Sequence, residues 1–204
     1  MRKILALAPH PDDVEIGCGG TLAALSGGGD EVHLFVATDG GRGGDAAIRR
    51  AEQQAAAAIL GVHAIHWGGF ADTQLAAATV ELIEHIEMLV NRIRPDMVFI
   101  NHHVDTHQDH RALAGAAHSA TRYVPNVLAY ETPTSDQFEP TVYWDISAWM
   151  QQKLDALSAH ASQVQRTNIQ GLSIIDIATS TAHYRGMNGR LNSAEAFMPK
   201  RMQF

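Results

Sequence analysis

The chain has 204 residues, one domain's worth at ~150 residues per domain and enough to bury a core without staples. It carries 15 basic and 22 acidic residues, a net charge of −7, and no run of lysine or arginine, which argues against nucleic acid or an anionic membrane as partner. One cysteine, Cys18, excludes an internal disulfide and fits a reducing cytoplasm; no apolar run reads as a signal peptide or reaches the ~18 residues of a membrane span.

In chain order, "KILALA" (3–8) is a short apolar run that reads as a central strand. A charged turn, "PHPDD", leads to a helix over 14–26 that "GGG" closes. "VHLFVAT" (32–38) is a second strand, followed by the glycine-rich "DGGRGGD" and an alanine-rich helix over 45–61. "VHAIHW" (62–67) is a third strand. The segment 76–95 is the clearest amphipathic helix, with Val80, Ile83, Ile86, Val90 and Ile93 at three- and four-residue spacing and Pro95 at its end. "DMVFIN" (96–101) is a fourth strand, 109–123 a helix, and "NVLAYE" (126–131) a fifth strand. After the turn-rich "TPTSDQFEPT", 142–146 is a candidate sixth strand, and 146–160 and 173–188 are helices; no strand is predicted beyond them.

Strands alternating with helices predict an α/β fold, a Rossmann-like and mostly parallel sheet with helices on both faces, in a single domain. In such sheets ligands bind outside the carboxyl ends of the strands. The polar clusters fall there: "HPDD" after the first strand, "TDGGRGG" after the second, "GFADTQ" after the third, "HHVDTHQDH" after the fourth and "ETPTS" after the fifth.

Two clusters carry metal chemistry. His10 and Asp13 lie three residues apart in a turn stiffened by Pro11, and His107 and His110 lie three apart with Asp109 between them. Imidazole and carboxylate donors suit Zn²⁺ or another divalent ion, and three protein ligands with one open position make a catalytic site. A free carboxylate beside the open position is a candidate general base. Either cluster alone has a plainer account: the acidic pair could cap a helix, and the histidine-rich loop could be solvated. Their recurrence on one rim favours a site.

"APHPDDVEIGCGGTL" and "HQDHRAL" resemble the two signature segments of the LmbE-like, or PIG-L, de-N-acetylases, zinc enzymes that hydrolyse the acetamide of N-acetylglucosamine compounds. "AAAAILGV", "LAYETPTS", "DALSAHASQ" and "RGMNG…AEAF" extend the likeness over most of the chain. The resemblance implies His10, Asp13 and His110 as metal ligands and Asp12 as general base. It implies His107 as the oxyanion-stabilising histidine, with Asp109 orienting and charging it. It also implies a homo-oligomer, with a trimer-based hexamer as one form. One departure stands out: Gly41 occupies the place of the glutamate in the family's Thr-x-Gly-Glu-x-Gly loop.

Arg42, Asp72, His103 and Tyr130 are candidate contacts to a small-molecule amino sugar, as are the aromatic faces of Trp67, Phe70 and Trp144. His160 matches a recurrent histidine without an evident job. Alternatives in view are a zinc amidase for another acyl group or a thiol conjugate, and a non-catalytic sugar- or nucleotide-binding module. The last would want G-x-G-x-x-G after the first strand, where the chain reads "PHPDDV".

Overall fold

The computed structural model describes residues 1–167 and 169–203. Five parallel strands form most of one sheet: β1 (Lys3–Ala8), β2 (Glu31–Thr38), β3 (Ala64–Phe70), β4 (Met97–Asn101) and β5 (Asn126–Tyr130). Two antiparallel strands, β6 (Val142–Asp145) and β7 (Ala194–Arg201), complete the seven-stranded order β3-β2-β1-β4-β5-β7-β6. The helices are α1 (Asp13–Gly27), α2 (Ala46–Leu60), α3 (Thr79–Ile93, entered through a 3-10 turn at Leu75–Ala78), α4 (Gln108–Ala120), α5 (Met150–Ala159) and α6 (Ile174–Gly189).

The strands read as unbroken apolar runs because both sheet faces are covered. On one face Leu5, Leu7, Phe35, Val98 and Ile100 pack under Leu82, Ile86 and Leu89 of α3 and Leu113 and Ala117 of α4. On the other, Ile4, Ala6, Val32, Leu34 and Phe99 pack under Val14, Cys18 and Leu22 of α1 and Ala57 of α2. The alternation of side chains along each strand divides these two sets.

Two elements depart from the sequence expectation. β3 runs to Phe70, through glycines read there as loop, and β7 is absent from the predicted elements although it sits between β5 and β6. Pro199 and three charged residues in "AEAFMPKR" hide it, since proline normally marks a strand's edge or bulge; the β5–β7 register does shift beside Leu128, the partner of Pro199.

α1 is interrupted at Cys18 (φ −146°, ψ 17°). Glu195 of β7 accepts the N–H groups of Gly20 (2.9 Å) and Thr21 (2.7 Å) beyond the break. Lys153 of α5 donates to the carbonyl of Ile16 before it (2.6 Å) and to Glu195 (2.5 Å). A buried ion pair thus satisfies backbone groups that a continuous helix would pair internally.

β1 is the switch point, because β2 and β3 extend the sheet to one side and β4 and β5 to the other. The crevice outside the carboxyl ends of β1 and β4 is where such sheets bind ligands. His10 follows β1 and His107 follows β4.

Candidate active site

His10 and His110 turn toward the same carboxylate. Asp13 Oδ2 lies 3.2 Å from His10 Nδ1, and Asp13 Oδ1 lies 3.4 Å from His110 Nε2. The outer nitrogen of each ring is also held: His10 Nε2 lies 3.2 Å from both Asp72 and Asp109, and His110 Nδ1 lies 3.0 Å from Asp105. This is how ligating histidines are oriented, with one nitrogen inward and the other tied to a carboxylate. His10, His107 and His110 offer donor atoms within 4.8 Å of one another, and so do His10, Asp72 and Asp109.

The charges follow from these contacts. Burial opposes a cation on His10, but Asp109, Asp13 and Asp72 outweigh it and hold the ring well above its ordinary pKa. His110 is raised to about 9 in the same way, by Asp13 and Asp105 against burial. Asp13, although buried, stays well below the usual carboxylate range because both imidazoles face it.

Asp12 sits at the N-cap position of α1 with φ 90°, yet its side chain makes no capping bond. The capping account of this acidic pair therefore fails at Asp12. Its carboxylate accepts from Arg49 Nη2 at 3.1 Å, and its N–H donates to Gln53 (3.2 Å). Burial, then the charge of Asp13, pushes Asp12 up to about 6, while Arg49 pulls it down. Left-handed backbone in a non-glycine residue is strained and gathers at functional sites. Arg49 also donates to the carbonyls of Pro11 (2.7 Å) and Gly40 (2.9 Å). A side chain at Gly40 (φ 67°) would meet that guanidinium at 2.1 Å, so the glycine-rich loop is shaped around Arg49.

His107 caps α4, and its Nδ1 accepts the N–H of Asp109 at 3.2 Å. An Nδ1 that accepts leaves the ring proton on Nε2, the neutral tautomer. Burial and the neighbouring His10 and His110 charges lower the pKa of His107. This corrects the expected pairing. The Asp109 carboxylate bonds His10 and the N–H groups of Thr73 (2.7 Å) and Leu75 (3.2 Å), so its direct partner is His10. It favours a charge on His107 only through space, where burial, His10 and His110 outweigh it, and it orients that ring through its backbone N–H.

A cavity of about 430 Å³ opens on the cluster, lined by Asp12, Asp13, His107, His110, Thr132 and His160, with the α5–α6 segment across it. The expected sugar contacts fall mostly elsewhere. Tyr130 is a correction: it is fully buried, donates to the carbonyl of Leu7 at 2.7 Å and packs where a side chain at Gly17 would come within 2.1 Å of its ring. Asp72 belongs to the His10 cluster, and what Arg42 gives is its backbone N–H to Asp72 (2.7 Å), its side chain being exposed. His103 is exposed beside Lys200 (3.3 Å). Trp67 stacks under Arg50, and Phe70 and Trp144 pack against the core; none of the three lines this cavity.

Residues that sequence reasoning missed lie behind those it named. Asp105 accepts from His110, Thr132 Oγ1 (2.9 Å), Ser135 Oγ (3.1 Å) and the His107 N–H (2.8 Å). Its place two residues before His107, in the histidine-rich loop, was the available signal. Arg49 and Gln53 lie one turn apart on an alanine-rich helix with nothing in the sequence to mark them. His160 is buried on the cavity wall, 3.6 Å from the buried Glu15, and neither ring nitrogen has a hydrogen-bond partner among the described residues.

The family model "PIG-L: GlcNAc-PI de-N-acetylase" matches residues 5–121, which include both clusters. The uncharacterized deacetylase YaiS of Escherichia coli K12 is 38% identical over 169 residues, 79% of this chain and 91% of that protein. The diacetylchitobiose deacetylase of Thermococcus kodakarensis is 33% identical over 189 residues, 80% of this chain and 70% of that one. Among solved structures, a 4-carboxy-2-hydroxymuconate hydratase from Pseudomonas putida KT2440 superposes with a TM-score of 0.88 over 100% of this chain and 98% of its own, at 20% identity. That likeness is one of fold alone, and function is argued from the site. With its two clusters inside the matched segment and a deacetylase more than one-third identical to it, the chain belongs to the PIG-L de-N-acetylase family and is a deacetylase.

Proposed function

We propose that this deacetylase is zinc-dependent and hydrolyses the acetamide of an N-acetylglucosamine-type amino sugar or its conjugate, water adding to the carbonyl carbon and acetate and a free amine leaving. The observation that carries the reading is the convergence of His10 Nδ1 and His110 Nε2 on Asp13, with every outer nitrogen tied to a carboxylate. Imidazole and carboxylate donors suit a divalent ion. His10 and His110, whose donor atoms come within 4.8 Å of one another, would hold it with the Asp13 carboxylate that lies against both rings, and Asp72, Asp105 and Asp109 keep those rings in place. When bound, such an ion supplies Lewis-acid polarisation of the amide carbonyl and of the attacking water.

The chain's own groups do the rest. Asp12, on the cavity wall and raised to about 6, is matched to take a proton from water near neutral pH and return it to the departing amine. Arg49 fixes that carboxylate. His107, neutral with its proton on Nε2, donates to the oxygen on which negative charge develops. The diacetylchitobiose substrate named for the Thermococcus relative supports an amino sugar here. The cytoplasmic setting and homo-oligomeric assembly expected from the sequence belong to the same proposal; no helix among the described residues is long and apolar enough to cross a membrane.

The test is release of acetate and free amine from N-acetylglucosamine, diacetylchitobiose and N-acyl analogues, before and after chelation and reloading with zinc. Equimolar acetate and amine, lost on chelation and restored by zinc, is the expected result. Activity that survives complete chelation refutes the metal assignment. Turnover of longer N-acyl groups but not N-acetyl ones favours the amidase alternative.

A further inference from the structure

A second cavity of about 320 Å³ adjoins the catalytic one, and Ile16, Thr132, Pro133, Ile169 and Ile177 line both. Its remaining uncharged surface comes from Gly17 of α1, from Ser135, from Ala178, Thr181 and Ala182 along one face of α6, and from Ala194 and Ala196 of β7. Four charged side chains also reach it, but each is engaged. Arg185 grips Glu131 through two bonds of 2.6 Å, and Lys153 bonds Glu195 and the carbonyl of Ile16. No charge is left to recognise an ion, and what faces the space is chiefly isoleucine and alanine. With its charges paired off and the hydroxyls of Thr132, Ser135 and Thr181 among otherwise apolar walls, a volume of this size is typical of a small-molecule site.

The acyl group of a deacetylase has two carbons and cannot fill such a chamber. Its occupant must come from the amine side of the scissile bond. We infer that the second chamber is a subsite for an apolar aglycone, an alkyl or aryl group carried by the amino sugar. The inference rests on the amino-sugar reading above. Ile16 is the hinge of the argument, because it follows Asp12 and Asp13 by one helical turn and faces both spaces. A sugar held with its acetamide at Asp12 and His107 would place a substituent against that residue.

The test compares kcat/KM for the methyl and n-butyl glycosides of N-acetylglucosamine. Burying three further methylenes, each worth up to about fourfold, should favour the butyl glycoside by about tenfold or more. Ala178→Leu and Ala182→Leu, made singly, fill the chamber and should bring the butyl-to-methyl ratio toward one. The ratio is read within each variant, so a general loss of activity cancels. Should neither variant fold, n-butyl glucoside should still inhibit the wild-type enzyme at least about fivefold more strongly than methyl glucoside, on the same methylene scale. Equal kcat/KM for the two glycosides, with the methyl one turned over, overturns the subsite and leaves the amino-sugar reading intact. A gain from N-butanoyl over N-acetyl glucosamine puts the chamber on the acyl side and overturns it too. No turnover of either glycoside while diacetylchitobiose is deacetylated overturns the subsite alone, and no turnover of any of the three removes both readings together.

Discussion

Replacing Asp105 by Asn should weaken zinc binding by about 10- to 100-fold, the scale on which groups that orient metal ligands act. Asp105 is buried, and its Oδ2 accepts from His110 Nδ1 (3.0 Å), Thr132 Oγ1 (2.9 Å) and Ser135 Oγ (3.1 Å), while Oδ1 accepts the His107 N–H (2.8 Å). An amide has one accepting oxygen. Placed at Oδ2, it sets its NH₂ against the His107 N–H; placed at Oδ1, it sets its NH₂ against His110 Nδ1–H, while the Thr132 and Ser135 hydroxyls can turn to accept. Losing a hydrogen bond to a charged group costs about 1.5–3 kcal/mol. A 10- to 100-fold change in affinity is about 1.4–2.8 kcal/mol, so the two scales agree. The assay is titration of metal-free protein with Zn²⁺ against a chromophoric chelator, with kcat then measured at saturating zinc. A dissociation constant within about twofold of wild type, a difference of only ~0.4 kcal/mol, would show that Asp105 does not hold His110 for the metal.

Asp12→Asn should keep bound zinc near stoichiometric while cutting kcat by about 100-fold or more, and full activity would remove Asp12 as the proton-transfer group. Metal-free protein should lose stability as pH rises. His110 titrates at about 9 when folded against about 6.5 unfolded, so its contribution, on the order of 3 kcal/mol, is complete below 6.5 and gone above 9. Urea unfolding at the two pH values reads the slope, and a flat or rising profile contradicts the charge assignment. Tyr130→Phe leaves the Leu7 carbonyl without its donor and should cost about 1–3 kcal/mol of stability with turnover retained. Loss of activity at unchanged Tm would return Tyr130 to the ligand-binding surface. Arg42→Ala removes an exposed side chain while leaving the backbone bond to Asp72, and kcat/KM should change by no more than about twofold, as for a surface substitution. A tenfold loss would make Arg42 a substrate contact.

Some of this was legible in the residues alone. The apolar runs of β1, β2 and β4 and the helical spacing in α3 are local, and so is the placing of His10 with Asp13, or His107 with His110, within one turn of chain. Local spacing also put both clusters after strands, which is why their meeting in one crevice could be anticipated. Other assignments failed for want of orientation. Tyr130 ends a strand that reads like any other, and only its packing over Gly17 turns the ring into the core. Asp109 neighbours His107 in the chain, but the backbone of α4 carries its carboxylate to His10, 99 residues away.

The sequence by itself determined the alternating elements, the two clusters of imidazole and carboxylate groups and the lack of a run of lysine or arginine, because periodicity and residue type act over a few positions. Only the tertiary structure decided that Arg49 holds Asp12, that Asp72 and Asp105 hold the rings of His10 and His110, and that β7 enters the sheet beside β5. Those contacts join segments 30 or more residues apart, or depend on which way a side chain leaves a loop, and both are set when β1 and β4 become neighbours and bring their carboxyl ends to one crevice.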